Sequence, residues 1–325
     1  MTPIIRAVFP VAGVGSRFLP ATNASPREMM PVVDKPLIQY AVEEALAAGI
    51  TDMIFITGRN QRATEDHFDE ARELEATLEV RGKTALLEAV RGFVPKSVNC
   101  IFIRQPEALG LGHAVLCAKP VICREPLAVI LADDLIDARP CVLAQMMAQY
   151  QHHRCSIIGV QTVRREETDQ YGIVKCGTQC GPVSQIEGVV EKPRPVEAPS
   201  LLGVVGRYIL TPGVFDHLET VAPGAGGEIQ LTDAIAMLLR RERVLAYEFN
   251  GTRYDCGSKL GYLRATLAYG LAHREVGADL AQYVEGLQVA LAAQQGRDWR
   301  SEAVREQAGI GTPAPAHDDR VFIGA

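Results

Sequence analysis

None of the eight cysteines, at 100, 117, 123, 141, 155, 176, 180 and 256, forms a C-x-x-C pair. Cys176 and Cys180 stand four apart, but no second pair or nearby histidine completes a zinc site. Small thiols on strands and helices are the reading that remains. The seven histidines are scattered, and adjacent His152 and His153 read as a solvated helix end. No apolar run approaches the length that spans a bilayer, so no membrane association is expected. Arg6 and Pro10 interrupt the apolar stretch near the N-terminus. That stretch therefore does not read as a signal peptide, and a cytoplasmic protein is expected. An excess of positive charge is also missing: the net charge is −6. This argues against a nucleic-acid surface, whereas local basic residues in an acidic chain fit a small polyanion. No Ser/His/Asp or Cys/His arrangement, internal repeat or low-complexity linker is present. With 325 residues, 47% hydrophobic and 22% charged, the chain can bury one large α/β core or two smaller ones.

What is present centres on residues 9–36. A short apolar strand, Ala7 to Val11, runs into Ala12-Gly13-Val14-Gly15. Glycines at 13 and 15 let the backbone approach a phosphate closely, because no Cβ intervenes. Arg17, Arg27 and Lys35 follow as positive charges, an arrangement suited to a nucleoside triphosphate. Gly13 and Gly15 also match the first two glycines of a dinucleotide-binding fingerprint, but its third position is Phe18. Pro20 and Pro26 oppose the helix that such a fingerprint requires. The expected phosphate holder is thus an irregular loop with charged side chains, and a structural turn is the alternative for the glycines alone.

Strands and helices alternate through the first half. Strands are expected at Ala7–Val11, Met53–Thr57, Cys100–Ile103 and Leu127–Leu131. Helices are expected at Pro36–Ala48, from Ala63 to about Arg91, and at Gly112–Ala118. Such alternation implies parallel strands with right-handed crossovers. Past Gln149 strands dominate, at Cys155–Val163, Gly172–Cys176, Val183–Val190 and Val204–Leu210, adding a mixed or antiparallel region. A helix at Ile229–Leu239, a strand at Val244–Asn250 and a helix at Lys259–His273 complete the pattern. From Glu275 the composition shifts. Leu280, Val284, Leu287 and Leu291 form one helical stripe, and a mobile tail is expected past Gln307. The expected domains are 1–273 and a helical extension over 274–325.

Several constellations carry chemistry. Asp133-Asp134 follows the most apolar strand, where carboxylates face the ligand crevice of an α/β sheet and suit Mg²⁺ carrying phosphate. A turn or helix cap uses aspartate equally, so both readings stand for the pair alone. Asp255, at a strand-to-helix junction, is a second carboxylate able to complete a metal site with Asp133. Glu191-Lys192-Pro193 ends a strand. The glutamate suits sugar hydroxyls and the lysine a phosphate, with an exposed ion pair as the alternative. Gln105 offers a donor and an acceptor to a base edge, and Gly110 a free backbone. The glycine loop from Gly224 to Glu228 reads as a lid or a turn.

In this order the motifs resemble the bacterial UTP–glucose-1-phosphate uridylyltransferase, or UDP-glucose pyrophosphorylase, family. The resemblance runs from Arg6 to about His273. It covers the Pro-Val-Ala-Gly loop, Asp34-Lys-Pro-Leu-Ile-Gln-Tyr, Gly110-Leu-Gly-His-Ala-Val, Leu-Ala-Asp133-Asp, Glu191-Lys-Pro, Val-Gly-Arg207-Tyr, Glu228-Ile-Gln-Leu-Thr-Asp and Asp255-Cys-Gly. Thymidylyltransferases share the glycine loop and Glu-Lys-Pro, whereas the last two segments favour the UTP branch. The resemblance implies an α/β, Rossmann-like nucleotidyltransferase fold with a mixed, mostly parallel central sheet flanked by helices, and a homodimer or homotetramer. It implies UTP and glucose 1-phosphate as substrates and Mg²⁺ as cofactor. Carried over by position, Ala12, Gly13, Gly15, Gln105 and Gly110 hold the nucleotide, with Glu28 beside it. Asp133 and Asp255 hold Mg²⁺, and Gly172, Glu191 and Val204 meet glucose. Arg17, Arg27 and Lys192 act on the phosphates. The family usually has lysine at the positions of Asn23 and Arg27. An arginine keeps the charge without the ammonium's geometry, and asparagine loses the charge. A weakly active or non-catalytic regulatory paralogue is therefore the alternative.

Overall fold

The computed structural model describes residues 3–13, 15–59, 61–91 and 94–288. Nine strands form its central sheet: β1 (Arg6–Pro10), β2 (Asp52–Thr57), β3 (Asn99–Arg104), β4 (Leu127–Ile130), β5 (Ser156–Thr162), β6 (Gly172–Cys180), β7 (Val183–Glu191), β8 (Leu202–Leu210) and β9 (Val244–Glu248). They lie in the order β3-β2-β1-β4-β8-β5-β9-β7-β6. The first four run parallel; β8 is antiparallel to β4 and β5, and β7 to β9 and β6. The sheet is thus mixed, as the strand-rich second half suggests, but it is not mostly parallel as expected. Four neighbouring pairs are parallel and four antiparallel, because the second-half strands β8 and β7 enter against their neighbours. Strand order reverses at β1, with β2 on one side and β4 on the other, which opens a crevice beyond the carboxyl ends of β1 and β4.

Burial on both faces explains the uninterrupted apolar runs. Leu127, Ala128, Val129 and Ile130 are all fully buried, as expected for an internal strand covered on both faces. Alternate side chains feed two cores. Ala7 and Phe9 enter one layer with Ile38 and Val42, and Val8 enters the other with Ile54 and Val115. Register places Phe9, Phe55 and Phe102 in one row, stacked at 5.0 Å between each neighbouring pair.

The helical run expected from Ala63 to Arg91 is three helices: Arg62–Phe68, Arg72–Val80 and Thr84–Arg91. Extended Asp69 breaks the run once, and Gly82, at φ 64°, breaks it again. A second, two-stranded ribbon pairs Asp134–Asp137 with Thr252–Asp255. Its first strand is four residues long with charged ends, too short for periodicity to reveal. Among the described cysteines, only Cys155 and Cys256 are buried, and Cys123 is exposed where it ends a helix at φ 60°.

The chain divides into two compact units, Met1–Leu267 and Ala268–Ala325. In the second, residues 277–288 are helical, and Leu280 lies 2.7 Å from where a Cβ on Gly270 would sit. Leu291 and the expected tail past Gln307 lie outside the described residues. Among the described residues no helix is long and apolar enough to cross a membrane.

Candidate active site

Two of the cavities in the first unit are lined by residues that the sequence singles out. One, of about 360 Å³, is walled by Ala12, Gly13, Thr22, Asn23, Pro26, Gly58, Arg59, Gln61, Gln105 and Ala108. The loop after β1 is held by its own contacts. Gly15 takes φ 64°, which favours glycine, and its carbonyl accepts from Thr22 Oγ1 at 2.8 Å. Gln61 ties this loop to the turn after β2: its Nε2 donates to the Gly13 carbonyl at 3.3 Å and its Oε1 accepts from the Gly58 N–H.

The second cavity, of about 180 Å³, is lined by Arg17, Asp133, Tyr171, Gly172, Glu191, Val204, Thr232, Arg253 and Asp255, among others. Glu191 is held in place by Thr232, whose Oγ1 donates to Oε2 at 2.7 Å. A Cβ on Gly172 would lie 2.8 Å from Thr232 Cγ2 and 3.3 Å from that same carboxylate oxygen, so glycine is what fits there.

Pairing within the ribbon brings the two acidic segments together. Asp255 lies opposite Asp134, and the Cys256 N–H donates to the Asp133 carbonyl at 2.7 Å. A Cβ on Gly257 would meet Asp255 Oδ1 at 2.9 Å and Asp133 Oδ2 at 3.1 Å, so both carboxylates border one space. Two hard oxygen donors that leave room for ligand phosphates match how Mg²⁺ is usually held. Among the described residues no third acidic, histidine or cysteine side chain completes an all-protein cage.

Asp134 has a different task. Its Oδ2 accepts from the Gly206 N–H at 2.6 Å and its Oδ1 from Arg253 Nε at 2.5 Å. Arg253 also donates to the Tyr171 hydroxyl, which donates to Asp255 Oδ2, both at 3.3 Å. Beneath them Arg207, 1% exposed, grips Glu44 with Nη2 at 2.7 Å and Nε at 3.1 Å. It also donates to the carbonyls of Leu131 at 3.0 Å and Asp134 at 2.9 Å, the two ends of the turn that carries Asp133.

Arg27 lies behind the walls of the two cavities, beside one lining residue of each. Its Nη2 lies 2.9 Å from Asp133 Oδ2 and 4.0 Å from the position of a Cβ on Gly13. The surrounding protein desolvates the Asp133 carboxyl and raises its pKa; Arg27 opposes this, and Asp134 and Asp255 add to it. Further positive charge in the cavity favours the ionised form.

Not every expected residue lines a wall. Gly15, Arg27, Glu28, Gly110 and Lys192 line neither cavity. Lys192, at φ 44°, is half-exposed with Nζ 3.4 Å from Glu191 Oε1. The Gly110 carbonyl is engaged by the Ala114 N–H at 3.1 Å and Gln105 Nε2 at 3.3 Å, so it is not free as the sequence suggests. Lys35 pairs with Glu43 at 2.9 Å instead of facing a phosphate. Sequence reasoning missed Gln61, Tyr171, Thr232 and Arg253. The last three sit beside residues already singled out, which was the available signal. The glycine loop turns into the Leu231–Leu238 helix, and the adjoining Ile229 N–H donates to the Leu109 carbonyl at 2.7 Å.

Glu28 is 5% exposed, and its Oε1 has no hydrogen-bond partner among the described residues. Burial pushes its carboxyl up to about 8. The folded state therefore binds a proton that the unfolded chain, at 4.5, has already released. Its contribution is most favourable below pH 4.5 and declines as pH rises to about 8. Glu28→Gln keeps the shape of the protonated acid, so urea titrations should show a flatter loss of stability across that window. An unchanged pH slope would contradict the shift.

The nucleotidyl transferase family model matches residues 7–270, which spans both cavities. The chain belongs to the nucleotidyl transferase family. A UTP–glucose-1-phosphate uridylyltransferase of Bacillus subtilis (strain 168) is 50% identical to this nucleotidyl transferase over 287 residues, 88% of this chain and 98% of that protein. A crystal structure of UDP-glucose pyrophosphorylase complexed with UDP-glucose is 46% identical, with a TM-score of 0.76 over 82% of this chain and 98% of that one. A UTP-bound UGPase from Acinetobacter baumannii is 44% identical, with a TM-score of 0.80 over 86% and 98%.

Proposed function

We propose that this nucleotidyl transferase moves the uridylyl group of UTP to glucose 1-phosphate, giving UDP-glucose and pyrophosphate. The observation that carries the reading is the pair of cavities, one walled by the glycine loop and Gln105, the other by Asp133, Asp255 and Glu191, with Arg27 paired to Asp133 behind their walls. Relatives named for this activity support it. A phosphate oxygen of glucose 1-phosphate attacks the α-phosphorus in line. The bond from that phosphorus to the bridging oxygen breaks, and pyrophosphate leaves with the electron pair. The attacking oxygen is already ionised, so no general base is needed. The obstacle is repulsion between two polyanions, and positioning with charge neutralisation overcomes it.

Ala12, Gly13, Gly15, Gln105 and Gly110 hold the nucleotide in this reading. Glu28 lies beside the nucleotide. Arg17, Arg27 and Lys192 neutralise phosphate charge, and Gly172, Glu191 and Val204 receive glucose. Asp133 and Asp255 would hold Mg²⁺, which supplies further neutralisation of the phosphates when bound. The catalytic part is 1–273 and the extension 274–325, in a Rossmann-like arrangement and a cytoplasmic setting. Leu260, Leu263 and Leu267 are exposed at helical spacing. Such a stripe supports a homodimer or homotetramer.

Pyrophosphate release with Mg²⁺, UTP and glucose 1-phosphate tests the reading, and faster turnover with dTTP would sink the uridylyl assignment. One observation favours a second reading, a weakly active regulatory paralogue: Arg27 occupies an oxygen of Asp133. Arg27→Lys separates the two. A shorter cation that releases the carboxylate should raise kcat/KM for UTP while UDP-glucose affinity stays nearly unchanged. A strong loss, not recovered by adding Asn23→Lys, would make Arg27 an adapted catalytic residue.

A further inference from the structure

We infer that the protein carries a second anion site, apart from the two active-site cavities, in which Arg59, Arg62 and Arg104 receive a doubly charged oxyanion of the phosphate class. The proposed activity makes no use of this site.

A further cavity, of about 240 Å³, is lined by these three arginines together with Thr57 and Glu65, among others. Thr57 and Arg104 are register partners at the ends of parallel β2 and β3. Arg59 follows in the turn after β2, and Arg62 begins the Arg62–Phe68 helix. The fold thus gathers guanidiniums from two distant stretches of chain at the carboxyl ends of two parallel strands. That end of an α/β sheet is where ligands dock.

Among the described residues none of the three arginines makes a hydrogen bond or an ion pair. Acidic residues outnumber basic ones in this chain, 39 to 33, yet Glu65 is the one carboxylate in the lining. Its Oε1 accepts from Thr57 Oγ1 at 3.5 Å, so it is turned to the sheet and not to a guanidinium. Each guanidinium offers five N–H donors and no acceptor. All three are exposed, so solvent or a ligand takes these donors. Like charges around one space repel, and an anion placed among them removes that cost.

Charge and shape narrow the ligand. Three arginines and one glutamate leave the lining with two positive charges. A single carboxylate would balance half of this, whereas a phosphate group carries roughly two negative charges at pH 8. The planar fork of arginine also matches phosphate oxygens. Gly58, Arg59 and Gln61 line this cavity and the glycine-loop cavity alike, so the two share a wall. Gln61 is 9% exposed and bonded at both ends of its amide, to the Gly58 N–H and the Gly13 carbonyl, which keeps that wall closed.

Equilibrium dialysis with radiolabelled inorganic phosphate, at pH 8 and constant ionic strength, tests the inference. The full chain is held with saturating UDP-glucose and Mg²⁺, so that the phosphate contacts of the active site are taken. The wild type should bind one phosphate per chain with a Kd of about 1 mM or tighter. Arg62→Gln combined with Arg104→Gln should weaken that binding by about tenfold or more, because charge-assisted contacts are lost. Neither residue lines an active-site cavity. The double variant should therefore keep kcat/KM for UTP and glucose 1-phosphate within about twofold of the wild type. AMP added as a competitor separates two sources of the same chemistry. Displacement of the label by AMP at equal concentration assigns the site to a nucleotide's phosphate, and retention of the label assigns it to the free anion. Equal phosphate binding by both proteins overturns the inference, as does no saturable binding to the wild type below about 10 mM. A double variant that loses catalysis about tenfold or more places these arginines in the reaction and also overturns it. Failure of UDP-glucose to bind counts against the functional reading alone, since the comparison of the two proteins still isolates this cavity.

Discussion

Asp133→Asn should lower kcat/KM with UTP and glucose 1-phosphate by about 10²- to 10³-fold, or roughly 3–4 kcal/mol of transition-state stabilisation. The substitution keeps the shape and one acceptor oxygen, so the turn held by Cys256 N–H and Arg207 should survive. What it removes is a negative charge where two carboxylates border one space beside Gly257. Asparagine is a much poorer ligand for a hard divalent cation. Binding of Mn²⁺, followed by its paramagnetic signal, should weaken alongside activity. A variant within about threefold of the wild type would remove Asp133 from the chemistry.

Arg207→Met should destabilise the fold by about 3–5 kcal/mol, because it strands the Glu44 carboxylate inside the protein. Arg207 and Glu44 are 1% and 9% exposed. Glu44 also accepts the Leu143 N–H at 3.0 Å, at the start of the Val142–His153 helix, so among the described residues it has a helix terminus but no second cation. The double variant Arg207→Met with Glu44→Leu should regain much of the loss, since replacing both partners of a buried pair is often neutral. Urea unfolding reads both. A single variant that loses under about 1 kcal/mol would mean that water or a rearranged neighbour satisfies Glu44. The double variant should still lose activity, because the carbonyls of Leu131 and Asp134 lose the donor that fixes the Asp133 turn.

These two predictions mark where the sequence was legible. Local signals carried the glycine loop, the parallel strands of the first half, and Asp133 at the end of the most apolar strand. A continuous apolar run and a glycine turn are written in neighbouring residues. The partner of Arg207 lies 163 residues away, and nothing in either segment announces the other. The joining of Asp133 to Asp255 depends on a ribbon whose first strand, Asp134–Asp137, is too short to show a period. Asp133 and Asp134 read as equivalent in sequence, yet backbone and Arg253 contacts commit only Asp134 to structure. Lys35 and Glu28 went the other way. Each sits in the nucleotide loop's neighbourhood by sequence, but Glu43 claims the ammonium and burial claims the carboxyl. Charge and proximity in the chain indicate chemistry, whereas the fold decides which charges remain available for it.

The most direct measurement follows label from UTP. With Mg²⁺ and glucose 1-phosphate, phosphorus label at the α-position of UTP should appear in UDP-glucose, and label at the γ-position should appear in pyrophosphate. Attack at the α-phosphorus, with pyrophosphate as the leaving group, predicts this partition. If α-label stays in UTP while UDP-glucose still binds, or if it emerges as UMP, the protein does not transfer uridylyl to the sugar phosphate.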